Sequence, residues 1–302
     1  MNEMVKFMEV KKRFGKVSAL SGASFSIPAG SVTALLGANG AGKSTALKMM
    51  VGLEKPSTGH VVVLDQESRK IGPRELARIG YVAEGMELPD WMTVGELMDW
   101  CRPMYPEWDR ALEKKLGQLF LLPLDRKLKN LSRGQRMKAA LWSVLSYRPE
   151  LLILDEPFSG LDPVVRDDLT RSVLELAESE KWAVVIATHD LGEVENLADR
   201  VVVMRYGKVE LEGDREEMLE KWRRVEFLVP DDWEEPEMYP REWLRVERMG
   251  KVLRFYESEF GSGFEEKMVE VLPGLGEPMV ERISLRDLLV VLVKSGRVEV
   301  GA

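Results

Sequence analysis

The sequence predicts an α/β fold organised around a phosphate-binding loop, with a helical insertion and a second, smaller α/β domain. Three observations carry that prediction. Gly37-Ala38-Asn39-Gly40-Ala41-Gly42-Lys43-Ser44-Thr45 matches the pattern Gly-x-x-x-x-Gly-Lys-Ser/Thr. It stands between a short apolar run at residues 31–36 and a helical pattern from Ala46, the strand-loop-helix setting the motif requires. A second apolar run, residues 151–154, ends in Asp155 and Glu156; such runs fit strands buried on both faces of a parallel sheet, and ligands gather at their C-terminal ends.

Composition narrows the setting. At 302 residues and 45% hydrophobic content the chain can bury one large core or two modest ones, and two domains are expected. A formal charge of −8 argues against bulk nucleic acid as the main partner, so no nucleic acid is expected. The single cysteine, Cys101, cannot close an internal disulfide, which suits a reducing compartment. Glu3 and Lys6, with no long apolar stretch after them, speak against a secretory signal. Apolar runs such as residues 288–293 fall far short of the about 20 residues a bilayer requires. Membrane work would therefore pass through a partner.

In chain order, residues 5–10 alternate like a strand, and residues 23–27 give another before Pro28-Ala29-Gly30 breaks it. Phe14 lies between them, either as an aromatic that stacks on a nucleobase or as a half-buried strand residue. In the loop, glycines let the backbone turn and approach phosphate with no Cβ in the way. Amide N–H groups then face inward at the positive end of a helix dipole. Lys43 would reach the β- and γ-phosphates, Ser44 would ligate Mg²⁺, and Thr45 would hold the remaining phosphate oxygens. Residues 60–64 and 78–83 follow as strands. The second ends at Glu84, which either binds the metal through water or is a solvated loop carboxylate.

From residue 86 to about 150 the pattern turns helical. Thr93-Val94-Gly95-Glu96 is a capping box for a helix carrying Val94, Leu97, Met98 and Cys101 on one side. Trp91, Trp100 and Trp108 read as core or interface packing. The last helix opens at Leu131-Ser132-Arg133-Gly134-Gln135, with Ser132 at its N-cap and Met137, Ala140, Leu141, Val144 and Leu145 along one face. Its N-terminus can hold an anion. Beyond it, Asp155 would hold Mg²⁺ through water and Glu156 would polarise the attacking water, since phosphoryl transfer asks for a positioned nucleophile and neutralised charge. Asp162 before Pro163 is a strong helix start. Residues 182–188 form another buried strand. His189 at its end either donates a hydrogen bond to the γ-phosphate or is structural, and Asp190 with Glu193 reads as a capping box.

In this order and at these separations the pieces resemble the ATP-binding subunits of ABC transporters, over about residues 4–220. Residues 37–45 look like the Walker A motif, residues 151–156 the Walker B motif with its catalytic glutamate, and residues 131–135 the signature motif. Residues 159–162 match the D-loop, which includes Asp162; His189 matches the switch histidine, and Phe14 stands where an adenine-stacking aromatic is expected. The resemblance implies a P-loop NTPase of ABC type at residues 1–221, with an antiparallel β subdomain and a helical subdomain at about 86–150. It implies ATP and Mg²⁺ as cofactors, ATP held by Phe14 and by Gly37, Ala38, Asn39, Gly40, Ala41, Gly42, Lys43, Ser44 and Thr45. The metal would fall to Ser44, Asp155 and Glu84, and catalysis to Glu156, His189 and Lys43.

The resemblance further implies a head-to-tail dimer, either homodimer or heterodimer, in which Ser132, Arg133, Gly134 and Gln135 cap ATP held by the other subunit. Hydrolysis would open it and rock a separate integral membrane permease between two access states. Such a subunit is cytoplasmic and peripheral at the inner face of the membrane. Glu84 stands where the family usually has glutamine, and Arg133 replaces a glycine of the usual signature. Some exporter-type members carry either variant, so export is expected over uptake. The alternative is an ABC-type ATPase acting as a soluble remodelling factor. Those relatives usually carry two ATPase halves or a long coiled-coil insertion, and neither is present here.

After strands at 200–205 and 208–212, the composition shifts at Asp231-Asp232-Trp233-Glu234-Glu235-Pro236-Glu237, an acidic linker or long loop. A small α/β domain is expected over residues 222–302, with strands at 225–229, 243–247 and 252–256 and helices at 264–272 and 284–294. It carries no metal cluster, nucleophile or Gly-rich loop of its own. It is expected to pack against the ATPase core, with a regulatory or dimer-contact role as the lesser reading.

Overall fold

A computed structural model describes residues 2–195 and 197–294; residues 295–302 of the expected second domain lie outside the described residues. The chain divides into two compact units, Met1–Glu212 and Gly213–Ala302.

The first unit holds two sheets. Strands β1 (Glu3–Phe14) and β2 (Val17–Pro28) form a long bulged hairpin. The chain then enters β3 (Val32–Leu36), helix α1 (Lys43–Met50), β4 (Thr58–Val63), β5 (Gln66–Glu67), the single turn α2 (Pro73–Leu76) and β6 (Ile79–Val82). Four of these make an antiparallel sheet in the order β2-β1-β4-β5. Alternation puts Val5 and Phe7 of β1 inward, a bulge after Phe7 brings Val10 inward as well, and Phe7 stacks on Phe25 with ring centroids 4.4 Å apart.

Helices α3 (Val94–Cys101), α4 (Arg110–Phe120) and α5 (Arg133–Leu145) follow, each opened by a side-chain cap from Thr93, Asp109 and Ser132 respectively. Glu113 on α4 is buried, and its charge is met by Arg102 and by the Trp108 indole N–H at 2.7 Å. The chain then forms β7 (Leu151–Asp155), α6 (Pro163–Glu180), β8 (Ala183–Thr188), β9 (Arg200–Arg205) and β10 (Lys208–Asp214). The second sheet runs β10-β9-β3-β8-β7-β6. Every residue of β7 and β8 is buried, which is why both read as unbroken apolar runs rather than alternating ones.

The parallel register is what assembles a site. Leu36 lies opposite Thr188, and Asp155 opposite Ala187, so β3, β7 and β8 end side by side at their C-terminal ends. The loops that leave them begin at Gly37, Glu156 and His189.

In the second unit, α7 (Arg215–Glu220) leads into β11 (Arg223–Leu228), β12 (Trp243–Met249), β13 (Val252–Glu257), α8 (Phe264–Val271), β14 (Met279–Arg282) and α9 (Leu285–Lys294). The sheet order is β12-β13-β11-β14, all antiparallel. Val225, Phe227, Leu253 and Phe255 pack under Phe264 and Met268 of α8. Buried Glu257 accepts a hydrogen bond from the Trp243 indole at 2.8 Å. The acidic stretch 231–237 lies within this unit, as the connection between β11 and β12. Sequence reading missed α7 and β14: the first is a six-residue helix capped by Asp214, and the second has only four residues with little burial.

Gly80 on β6 has no room for a side chain, since an added Cβ would sit 2.6 Å from Val144 Cγ1 on α5 and 3.0 Å from Leu152 Cδ1 on β7. Gly80→Ala is expected to lower unfolding free energy by about 1–3 kcal/mol, read from a urea midpoint, by overpacking the seam between sheet and helix.

Candidate functional site

Two glycines of the loop between β3 and α1 stand where nothing larger fits. Gly42, the residue before α1, has φ +107, and a Cβ there would come within 2.7 Å of the Ala19 carbonyl oxygen. At Gly37 a Cβ would lie 2.5 Å from the Met204 carbonyl oxygen. The loop thus closes with its amides at the N-terminus of α1, the arrangement that suits an anion. Lys43 is buried at the first turn of that helix, and its ammonium donates to the Gly37 carbonyl at 2.6 Å.

Ser44 and Asp155 meet from α1 and β7, the hydroxyl donating to Asp155 Oδ1 at 3.1 Å. Asp155 is buried, and burial raises its carboxyl above the usual range; the Ser44 bond opposes that, while the charges of Glu84 and Glu156 add to it. A buried carboxylate beside a hydroxyl is a hard-oxygen pair of the kind that Mg²⁺ takes, and a cation there would relieve the charge that burial penalises. Glu84, in the exposed loop after β6, is close enough to act on Asp155 electrostatically.

Glu156 follows at φ +46, a strained conformation for a residue with a side chain and one that concentrates at functional sites. Its carboxylate is buried and shared between partners from two other elements. Oε1 lies 3.3 Å from the Lys43 ammonium, and Oε2 lies 2.9 Å from His189 Nδ1. The half-exposed His189 therefore stands over a carboxylate that is itself sealed from water.

Two further residues belong to this cluster. The Thr188 hydroxyl donates to Glu193 Oε2 at 2.7 Å and reaches Glu156 Oε2 at 3.2 Å, while accepting from the Asp190 amide at 3.0 Å. The expected Asp190–Glu193 capping box does not form. Asp190 bonds the Gly192 amide, and Glu193 turns inward to Thr188 because a fully buried hydroxyl at the end of β8 needs an acceptor. The signal available was Thr188 itself, a polar residue closing an apolar strand.

The remaining expected residues sit on other elements, β1, α5 and α6. Ser132 and Gln135 cap each other at the start of α5. Gly134 abuts Val165, and the Arg133 guanidinium lies against Gly160, where a Cβ would come within 2.6 Å of Nη1. The signature segment thus packs on the 159–162 turn and the start of α6. Asp162 caps α6 by accepting from the Val164 amide at 2.9 Å. Phe14 ends β1 at the tip of the β1–β2 hairpin, 46% exposed, with Lys12 Nζ 4.7 Å from its ring centroid. Trp91 and Trp100 are exposed, so neither packs in the core as one of the two expected roles required.

A glycine-lined loop at a helix start, a buried lysine and an acidic pair at the end of β7, one strand removed from β3 in the sheet, define a P-loop nucleotide-binding domain. Comparison with known proteins narrows the class. The family model described as ABC transporter matches residues 20–159, and one described as "AAA domain, putative AbiEii toxin, Type IV TA system" matches residues 124–195. The sulfate/thiosulfate import ATP-binding protein CysA of Salmonella typhi is 36% identical over 215 residues, covering 68% of this chain and 59% of the relative. CysA of Yersinia pseudotuberculosis is 34% identical over 239 residues, covering 74% and 65%. The chain therefore spans about three-fifths of the length of these relatives.

Among solved structures, cbiO1 from Clostridium perfringens, part of the ABC transporter complex cbiONQ, superposes with a TM-score of 0.62 at 29% identity, covering 72% of this chain and 90% of that one. The dimeric structure of MJ0796, a bacterial ABC transporter cassette, gives 0.62 at 25%, covering 70% and 98%. The chain carries an ABC transporter ATP-binding domain, and the first unit has the ABC ATPase cassette fold.

Because the Asp155 carboxyl is raised in the folded protein, its ionised form costs stability above that raised value and costs nothing below the ordinary carboxylate range. Asp155→Asn is expected to raise the thermal midpoint near neutral pH, with the gain vanishing as pH falls below the ordinary carboxylate range. Scanning calorimetry across pH reads both limits.

Proposed function

We propose that the chain binds ATP with Mg²⁺, hydrolyses it, and drives a separate integral membrane permease. The observation that carries this is the Glu156 carboxylate, held in a strained turn between Lys43 and His189 at the end of the buried strand.

The loop amides of residues 37–45 cradle the phosphates, and Lys43, released from the Gly37 carbonyl, takes the β- and γ-oxygens as a point charge. Ser44 and Asp155 would hold Mg²⁺, with Glu84 contributing charge nearby, and the metal would supply neutralisation of charge on the transferring phosphoryl group. Glu156 Oε2 accepts a proton from the attacking water, and its buried setting keeps it from being solvated by bulk water. His189 orients that carboxylate and meets the γ-phosphate. Phe14 offers an exposed ring face to the adenine.

A cradle open on one side needs a second cover, and Ser132, Arg133, Gly134 and Gln135 of another copy or of a related subunit supply it at the N-terminus of α5, with Asp162 alongside. The description of MJ0796 as a dimeric cassette supports this arrangement.

The permease reading rests on an apolar groove of about 460 Å³ beside the helical insertion, lined by Leu53, Met86, Trp100, Met104, Tyr105 and Tyr147. Leu53, Met86, Trp100 and Met104 are all exposed, a patch of the kind that marks a protein partner rather than free surface. Among the described residues no helix is long and apolar enough to cross a membrane, so the spans belong to the partner. The curated relatives carry import in their names, and the export expected from Glu84 and Arg133 has no support from them.

Glu156→Gln is expected to lower ATP turnover by about 10²–10³-fold while leaving ATP binding intact. Pulled from native membranes in detergent with Mg-ATP, that tagged variant is expected to bring down a multi-span protein. Undiminished turnover would remove Glu156 from its role, and recovery of ribosomal or DNA-associated partners alone would favour a soluble remodelling ATPase.

A further inference from the structure

The helical insertion holds a cavity that the nucleotide site does not use. Its volume is about 880 Å³, within the about 300–1,000 Å³ that small-ligand sites occupy. One face of α4 forms a wall, with Arg110, Glu113, Lys114, Gly117, Gln118 and Leu121 following at helical steps. Met98 of α3, Trp142 of α5 and the segment Leu122-Pro123-Leu124 supply apolar lining. Gly117 lets Trp142 come close to α4: a Cβ there would lie 2.7 Å from Trp142 Cζ2, and the indole N–H donates to the Glu113 carbonyl at 2.9 Å. Leu121 ends the helix in the left-handed region at φ +52, and its side chain stays 81% exposed at the rim.

The charges lining this cavity are unequally committed. The buried Glu113 carboxylate accepts from Arg102 at 3.0 Å and from the Trp108 indole at 2.7 Å, and Arg102 also meets Asp99. Arg110 reaches Glu113 only at 3.8 Å, beyond hydrogen-bond distance. Lys114 has no hydrogen bond or ion pair among the described residues. Arg102, Arg110 and Lys114 set against Asp99 and Glu113 leave a positive excess, in a chain whose formal charge is −8. Arg110 and Lys114 stand four residues apart on α4, where like charges repel, and an anion beside both would relieve that repulsion. A loose cation pair at the rim of a mostly apolar cavity suits a ligand with an apolar body and one acid group.

We propose that this cavity binds a small amphipathic organic anion, an apolar or aromatic body carrying one carboxylate or sulfonate, with the acid group on Lys114 and Arg110 and the body against Met98, Trp142 and Leu121. The site uses none of residues 37–45, Asp155, Glu156 or His189, so it stands independently of the hydrolytic reading. It shares no lining residue with the groove beside Trp100 and Met104.

The probe is 8-anilinonaphthalene-1-sulfonate, titrated by fluorescence into the full chain with saturating Mg-ATP present throughout to fill the phosphate loop. One saturable site with Kd of about 20–100 μM is expected for a ligand of that size. Lys114→Glu changes an exposed side chain and is expected to weaken binding about tenfold or more. Leu121→Gly suits the left-handed backbone, removes only the apolar rim, and is expected to weaken it about threefold. The uncharged analogue N-phenyl-1-naphthylamine is expected to bind at least about tenfold more weakly than the sulfonate. Met104→Asp, which spoils the other groove, is expected to leave the probe's affinity within about twofold of wild type. Unsaturable binding, wild-type affinity in Lys114→Glu, equal affinity for the uncharged analogue, or a loss produced by Met104→Asp in place of Lys114→Glu overturns the proposal. Should Lys114→Glu fail to fold by circular dichroism, Leu121→Gly and the uncharged analogue decide: weakening in both supports the site, and wild-type affinity in either refutes it. A chain that hydrolyses no ATP but binds the probe in this pattern defeats the hydrolytic reading alone.

Discussion

The placement of every group around Glu156 depends on the register between β3, β8 and β7. Leu36 opposite Thr188 and Asp155 opposite Ala187 bring three strand ends into one row. A slip of one residue in either pairing would turn Asp155 or Thr188 to the other face of the sheet and carry the following loop with it. Burial on both faces makes such a slip costly, because it would re-pack both faces at once. The continuous apolar composition of β7 and β8 is therefore a condition of the chemistry as well as of the core.

That row concentrates charge where charge is expensive. Asp155, Glu156 and Glu193 are all buried at one sheet edge, with Lys43 as the buried cation among them. Hydrogen bonds from Ser44, Thr188 and His189 and the Lys43 ion pair distribute the cost, and the strained turn at Glu156 adds to it. A site that costs stability in this way is what a fold retains when the groups act on a ligand rather than on one another.

Much of this was legible in the sequence because it is written in local signals. The loop at 37–45, the capping boxes at Thr93 and Ser132 and the Asp155-Glu156 pair after an apolar run each combine a pattern with a physical reason, and the structure places each in the element that the pattern implied. The Asp190–Glu193 spacing misled for the same reason. A capping box and an inward-turned acid share one sequence pattern, and only the position of Thr188 across the turn separates them. Likewise Arg133 could be seen as a departure from a motif, but its contact with Gly160 depends on how α5 meets the 159–162 turn, a tertiary fact with no local signature. In the second unit, β14 was invisible because four residues of an edge strand carry too little periodicity to stand out.

In the proposed function this chain holds half of an ATP site and a second subunit completes it. Sedimentation equilibrium of the Glu156→Gln chain, with and without Mg-ATP, tests that most directly. A species of 34.3 kDa is expected without nucleotide and one of twice that mass with it. A chain that binds ATP at the loop and stays at the monomer mass across the concentration range would contradict completion by a second copy of the chain.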